Sequence, residues 1–174
     1  VTKCDAHPTR RELRTDAEWE ELVAYYQSWS DLGLAPEVLR VTPDTLFARR
    51  HQTLEEWLEL HPDTDERTRM GRRVRERIEE LHRHGVCHRD LQVANIVVRD
   101  DCVPLFIDPE FATRSDASGP CYDLVGPTRA GMEVLPAHAV LAQPEENRAG
   151  IFWDAQTTHV RTLGSVFGPL ADLE

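Results

Sequence analysis

Apolar residues recur at helical spacing in three parts of the chain and as short runs in several others. Trp19, Leu22, Val23, Tyr26 and Trp29 share one face of a 3.6-residue period, so residues 16–30 read as an amphipathic helix. Thr15-Asp16-Ala17-Glu18 has the form of a capping box, with Thr15 as N-cap and Glu18 three positions on. Gly33 and Pro36 stop the pattern. Val38–Val41 and Thr45–Ala48 then read as short strands on either side of the turn signal Thr42-Pro43-Asp44. Thr53 to Leu60 reads as a short helix with Leu54, Trp57, Leu58 and Leu60 turned inward. The longest pattern runs from Asp65 to His84, with Met70, Val74, Ile78 and Leu81 as its seam and Gly85 closing it. The rest of that helix, including Arg72, Arg73, Arg75, Glu76 and Arg77, has the character of a solvated face laced with i, i+4 pairs.

After Gly85 the pattern changes to strands: Val86–His88, Ile96–Val98 and Val103–Ile107. Arg99-Asp100-Asp101 makes the last two a hairpin. Beyond Asp108 the breakers Gly119-Pro120, Gly126-Pro127, Gly131, Pro136 and Pro144 predict loop. A final helix is expected around 156–167, and Gly150–Asp154 reads as a buried strand or edge. Mixed helices and hairpin-type strands make the fold class α+β. A length of 174 residues fits one domain, or a complete lobe with part of another.

Composition narrows the function classes. With 40% hydrophobic and 29% charged residues the chain can bury a core. A net charge of −11 leaves no basic face of the size a nucleic-acid binder needs. The longest charge-free apolar stretches, such as Val134–Pro144, are too short to span a bilayer, so no membrane partner is expected. The polar, Arg-rich start of the sequence has no secretory h-region. Cys4, Cys87, Cys102 and Cys121 form no CxxC pair, which predicts reduced thiols in a cytoplasmic protein. His82, His84, Cys87 and His88 lack the paired spacing of a zinc site. The 20 basic residues include only one lysine, Lys3.

The chemistry is concentrated in His88-Arg89-Asp90-Leu91-Gln92-Val93-Ala94-Asn95, which matches H-R-D-L-x-x-x-N at every specified position. Five fixed residues arise by chance in roughly one chain of this size in ten thousand. The motif follows a long helix and a short strand and precedes a hairpin that ends Leu105-Phe106-Ile107-Asp108. Phosphoryl transfer works through positioning and charge neutralisation, which calls for metal ligands and a proton acceptor more than for a reactive nucleophile. Asp90 can accept the proton of an attacking hydroxyl. Asn95 offers a neutral oxygen to Mg²⁺, and Asp108 brings a full negative charge to the same ion.

On these residues the chain resembles the protein-kinase-like superfamily, which includes eukaryotic-type kinases and the small-molecule phosphotransferases of the aminoglycoside and choline type. The resemblance implies a kinase-like fold with a truncated N-lobe in 1–50 and a reduced, mainly helical C-lobe in 51–174. The catalytic loop would be 88–95 and the metal motif 108–110. It also implies Mg²⁺ and ATP as cofactors and a hydroxyl acceptor on a protein, peptide or small molecule. His88 would support the loop from beneath, and Arg89 would form a structural salt bridge or meet a regulatory phosphate. Lys3, at the end of a first strand formed by Val1-Thr2-Lys3, would be the phosphate-binding lysine. Glu18, on the border of the apolar stripe of helix 16–30, would be its partner. Asp123, at the start of a buried helix, would bind the backbone of the catalytic loop.

Four departures from the family pattern stand out. No G-x-G-x-x-G occurs in the sequence. Gln92 stands where Ser/Thr kinases commonly carry a lysine. The metal motif is Asp108-Pro109-Glu110, closer to the small-molecule phosphotransferases, and Glu110 is a candidate helper in metal binding. No A-P-E follows. The expected activity is therefore that of a compact, bacterial-type kinase. The alternatives are a pseudokinase or nucleotide-binding interaction module without turnover, or a chain whose nucleotide site is completed by a protein partner.

Overall fold

The computed structural model describes residues 5–114, 123–128, 131–135 and 161–173. Its first sheet has strand order β1-β3-β2, built from β1 (Ala6–Arg10), β2 (Val38–Val41) and β3 (Thr45–Arg49). Both pairings are antiparallel, with Ala6 opposite Arg49 and Thr9 opposite Leu46. The sequence reading did not anticipate the strand Ala6–Arg10; the strand it expected at Val1–Lys3, with Lys3 itself, lies outside the described residues. Only alternate side chains of β3, Leu46 and Ala48, are buried, as expected for a strand with one face on a core.

Helix α1 (Asp16–Asp31) starts at the capping box. Thr15 Oγ1 accepts from the Glu18 N–H at 3.3 Å, and Glu18 Oε2 accepts from the Thr15 N–H at 2.8 Å. Its aromatic face, Trp19, Tyr25, Tyr26 and Trp29 with Leu22, is buried. Helix α2 (Leu54–Leu60) begins at a second capping box, Thr53 with Glu56. Leu54, Trp57 and Leu58 point inward, but Leu60, placed inward by the periodicity, is exposed.

Helix α3 (Thr64–Arg83) buries the expected seam Met70, Val74, Ile78 and Leu81. It ends at Gly85, whose φ of 72° only glycine adopts without penalty. Its charged surface does more than pair along the helix. Arg67 donates to the carbonyls of Leu58 and His61, Arg73 to Cys102, and Arg77 to Pro104 and Gly33. Arginine suits this use because its planar fork reaches several oxygens at once while its stem covers apolar surface. The expected i, i+4 lacing is present as well, in Arg75–Glu79.

The strands β4 (Gln52–Thr53), β6 (Ile96–Val98) and β7 (Pro104–Phe106) form a second sheet in the order β4-β6-β7. All side chains of β6 and β7 are buried, which explains a run of apolar residues without alternation. The expected hairpin is present, its turn closed by Arg99 N–H to Val103 O at 3.0 Å. Strands β5 (Val86–Cys87) and β8 (Thr113–Arg114) pair, and β9 (Asp123–Thr128) pairs with β10 (Gly131–Leu135). The last three lie where the sequence predicts loop, and Asp123 stands on a strand rather than at a helix start. Glycine and proline at 126, 127 and 131 hide this hairpin, whose register shifts at Glu133/Val134. Of the helix expected over 156–167, the described part is the short α4 (Leu163–Phe167). The strand expected at Gly150–Asp154 lies outside the described residues. Cys102 is free and Cys87 is disulfide-bonded, which corrects the expectation of reduced thiols throughout.

Candidate active site

The segment from His88 to Asn95 connects β5 to β6 and has few backbone partners of its own, so its shape depends on side chains around it. Asp123, on β9, supplies the main anchor. Its Oδ2 accepts from the His88 N–H at 3.1 Å and its Oδ1 from the Arg89 N–H at 2.6 Å. His82 Nε2, from the last turn of α3, donates to Asp123 Oδ2 at 2.7 Å. The loop-binding role expected of Asp123 therefore stands, on a different element. The anchor also serves a residue in an unfavourable backbone state, since Arg89 has φ of 69°.

His88 is fully buried beneath the loop, with its ring 5.4 Å from that of Trp29 and 5.8 Å from that of Phe106. Its two ring nitrogens do different work. Nε2 donates to the Ile107 carbonyl at 2.9 Å, and Nδ1 accepts from the Asp90 N–H at 3.3 Å, so the hydrogen-bond pattern fixes the tautomer. One buried ring thereby connects the backbone of Asp90 to the residue before Asp108.

The carboxylate of Asp90 is surrounded by amide donors. Asn95 Nδ2 donates to Asp90 Oδ2 at 2.8 Å and to the Asp90 carbonyl at 2.9 Å. Gln92 Nε2 stands 3.3 Å from each carboxylate oxygen. Gln92 thus orients Asp90, a contact that its side-chain type alone did not reveal. With its nitrogen engaged, Asn95 keeps Oδ1 as its remaining polar end, and no hydrogen bond from the described residues reaches that oxygen. Asn95 also accepts at its carbonyl from the Ile107 N–H at 3.0 Å, which ties the end of the loop to the strand that delivers Asp108.

Asp108 sits in the left-handed region, with φ of 59° and ψ of 67°, and opens a 3-10 turn over Pro109–Phe111. Burial holds its carboxyl above the ordinary carboxylate range, and the charges of Glu110 and Asp90 push it further in the same direction. Tyr26 of α1 packs over this point; burial raises its phenol, and the Asp108 charge adds to the rise. Glu110 pairs with Arg14 at 3.0 Å. A small cavity of about 130 Å³ lies between α1 and this turn, lined by Arg14, Glu18, Glu21 and Glu110 among others. A second, of about 180 Å³, is lined by His7, Tyr26, Ala48, Arg49, Val97 and Ile107 among others.

The structure thus brings together His88, Asp90, Gln92 and Asn95, with Asp108 close enough for its charge to be felt. Glu18, at the start of α1, shares the cavity of about 130 Å³ with Pro109 and Glu110, and its hydrogen bonds among the described residues go to Thr15. It is exposed and held by Thr15, whose backbone and side-chain hydrogen bonds pull its carboxyl below the ordinary range. Its expected partner Lys3 is outside the described residues. Sequence reasoning missed the contribution of Arg161 and Thr162, which contact the loop through backbone atoms and so leave no mark in residue type. Among the described residues no group of three or more His, Cys, Asp or Glu side chains is arranged to hold a metal alone, and no helix is long and apolar enough to cross a membrane.

No curated protein matches the chain. A family model does: residues 4–147 match APH, the phosphotransferase enzyme family. That stretch contains the whole of the Asp90, Asn95 and Asp108 arrangement. The chain belongs to this phosphotransferase family, and with it to the protein-kinase-like superfamily.

Proposed function

We propose that the protein transfers the γ-phosphoryl group of ATP, bound with Mg²⁺, to a hydroxyl of a protein, peptide or small molecule. The observation that carries this reading is an Asn95 oxygen to which no described residue donates, on a loop end tied to Ile107, with the half-buried Asp108 next in the chain and repelled by Glu110 and Asp90. Such a donor set fits a hard dication. Asn95 and Asp108 would hold it, with phosphate oxygens and water completing the shell, as is usual for Mg²⁺. When bound, the ion supplies charge neutralisation for the nucleotide phosphates.

The chain's own residues then divide the remaining work. Asp90, turned by Asn95 and Gln92, accepts the acceptor hydroxyl's proton as that oxygen bonds to the γ-phosphorus and the bond to the ADP oxygen breaks. His88 keeps the Asp90 backbone in register with the strand end at Ile107. The cavity lined by β1, β3 and Ile107 has a mostly apolar wall, which suits a nucleotide base. The architecture is read as kinase-like, with a partial N-lobe in 1–50 and a C-lobe in 51–174. The order β1-β3-β2 with α1 between β1 and β2, followed by α2, α3 and the loop, supports that reading. A net charge of −11 favours a neutral or cationic acceptor over a nucleic acid. Dependence on ATP makes the cytoplasm the expected compartment, where the Cys87 bond would meet reducing conditions.

Incubating the protein with γ-labelled ATP, Mg²⁺ and a panel of peptide and small-hydroxyl acceptors tests the reading. Label should reach an acceptor with wild type and not with Asp90→Ala. Stabilisation by Mg-ATP without any transfer would select a nucleotide-binding module instead. Transfer that survives Asp90→Ala would remove Asp90 as the base.

A further inference from the structure

Residues 161–173 lie beyond the stretch that matches the family, yet they are bound into the loop that carries Asp90. The Val93 N–H donates to the Arg161 carbonyl at 3.0 Å, and Gln92 and Thr162 form an antiparallel bridge. Gln92 is also the residue whose amide faces both oxygens of Asp90, and Val93 opens the 3-10 turn that ends at Asn95. The segment therefore grips the backbone on which the proposed base and a proposed metal ligand are mounted.

The same segment has firm footing on the opposite side. Leu163, Gly164 and Leu170 are buried. Arg75 of α3 donates to the Ala171 carbonyl at 3.1 Å and to the Leu173 carbonyl at 2.8 Å. Thr162 caps α4 by accepting from the Ser165 N–H at 3.2 Å. β9 presses against it so closely that a Cβ on Gly126 would stand 2.6 Å from Thr162 Oγ1 and 2.8 Å from the Gly164 nitrogen.

We propose that residues 161–173 are a clasp that positions the catalytic loop, acting through the backbones of Gln92 and Val93 on Asp90 and Asn95. The catalytic consequence rests on the phosphotransfer reading; the mechanical part stands without it. The loop is held at its start by Asp123 and at its end by Ile107. Between them, the Val93 N–H finds its partner outside the loop, in the Arg161 carbonyl, with Gln92 and Thr162 set opposite each other in the bridge. Displacing a catalytic group by about 1 Å can cost on the order of a hundredfold in rate, so the brace belongs to the chemistry.

The test uses two variants of the full chain. Gly126→Ala drives a methyl group into Thr162, at a residue whose φ of 137° already disfavours a side chain. Arg75→Gln releases the far end without touching the loop, and carries the test alone if Gly126→Ala does not fold. In either variant the Val93 amide should exchange with solvent at least about tenfold faster, while Phe106 in β7 keeps its protection. Turnover should fall about tenfold, with KM for ATP within about twofold of wild type. An unchanged Val93 exchange rate overturns the clasp, and so does faster exchange with undiminished turnover. If wild type neither binds Mg-ATP nor transfers phosphate, the phosphotransfer reading fails, and Val93 exchange alone decides whether the segment braces the loop.

Discussion

Asp90 and Asp108 are the same residue type at the two edges of one site, and their surroundings are opposite. Among the described residues the carboxylate of Asp90 is hydrogen-bonded by the side-chain amides of Asn95 and Gln92. Asp108 meets burial first and then two like charges, Glu110 and Asp90. The difference is between a carboxylate aimed by two amide groups and one half-buried beside like charges. The aimed group suits proton transfer, and the repelled one suits a cation.

Breaking the first half of this comparison should have the largest effect. Asp90→Asn keeps the shape and removes the proton acceptor, so phosphoryl transfer should fall about 10²- to 10⁴-fold in steady-state assays. The anchor beneath it comes next. In Asp123→Asn one oxygen becomes a donor facing backbone N–H groups, at a cost of about 1–3 kcal/mol in urea unfolding. Turnover should fall as well; an undiminished kcat would show that the loop holds its shape without Asp123.

The second half makes a prediction of opposite sign. A carboxyl whose folded pKa is raised contributes stability below its unfolded pKa and loses that contribution as pH rises through the folded value. At neutral pH the ionised Asp108 therefore opposes folding of the metal-free protein. Asp108→Asn should raise its melting temperature by about 2 °C at pH 7 and not at all near pH 3. An unchanged melting temperature at pH 7 would mean that Asp108 is not repelled as described. The smallest effect is expected from Glu18→Gln, because glutamine can still close the capping box, so the melting temperature should stay within about 1 °C of wild type. A rise of more than about tenfold in KM for ATP in the same variant would give Glu18 the nucleotide role that the resemblance implies.

How much of this was legible depends on whether the signal lay in side-chain type or in backbone pairing. Helices α1, α2 and α3 announced themselves by periodicity and caps, because an amphipathic helix encodes its buried face locally. Asp90, Asn95 and Asp108 were singled out by their motif, and what the structure adds is that Asn95 is bonded to Asp90 and that the Asp90 charge reaches Asp108. The β9–β10 hairpin was not legible, since Gly126, Pro127 and Gly131 are breakers in isolation and only the packing of Thr162 against Gly126 makes a glycine fit there. The strand Ala6–Arg10 was not legible either, because His7 and Pro8 break its pattern and it pairs with β3 through backbone groups. The arginines of α3 looked like a solvated face, and their carbonyl partners on distant elements carry no sequence signature.

The division of roles is tested most directly by the thermal shift that Mg-ATP produces in wild type, Asp90→Asn and Asp108→Asn, measured side by side. Binding of a ligand to the folded state alone raises stability by about 2.7 kcal/mol at a hundred times its Kd, a shift easily resolved. The account predicts an upward shift in wild type and Asp90→Asn and none in Asp108→Asn. Equal shifts in all three, or a shift lost in Asp90→Asn and kept in Asp108→Asn, would contradict it.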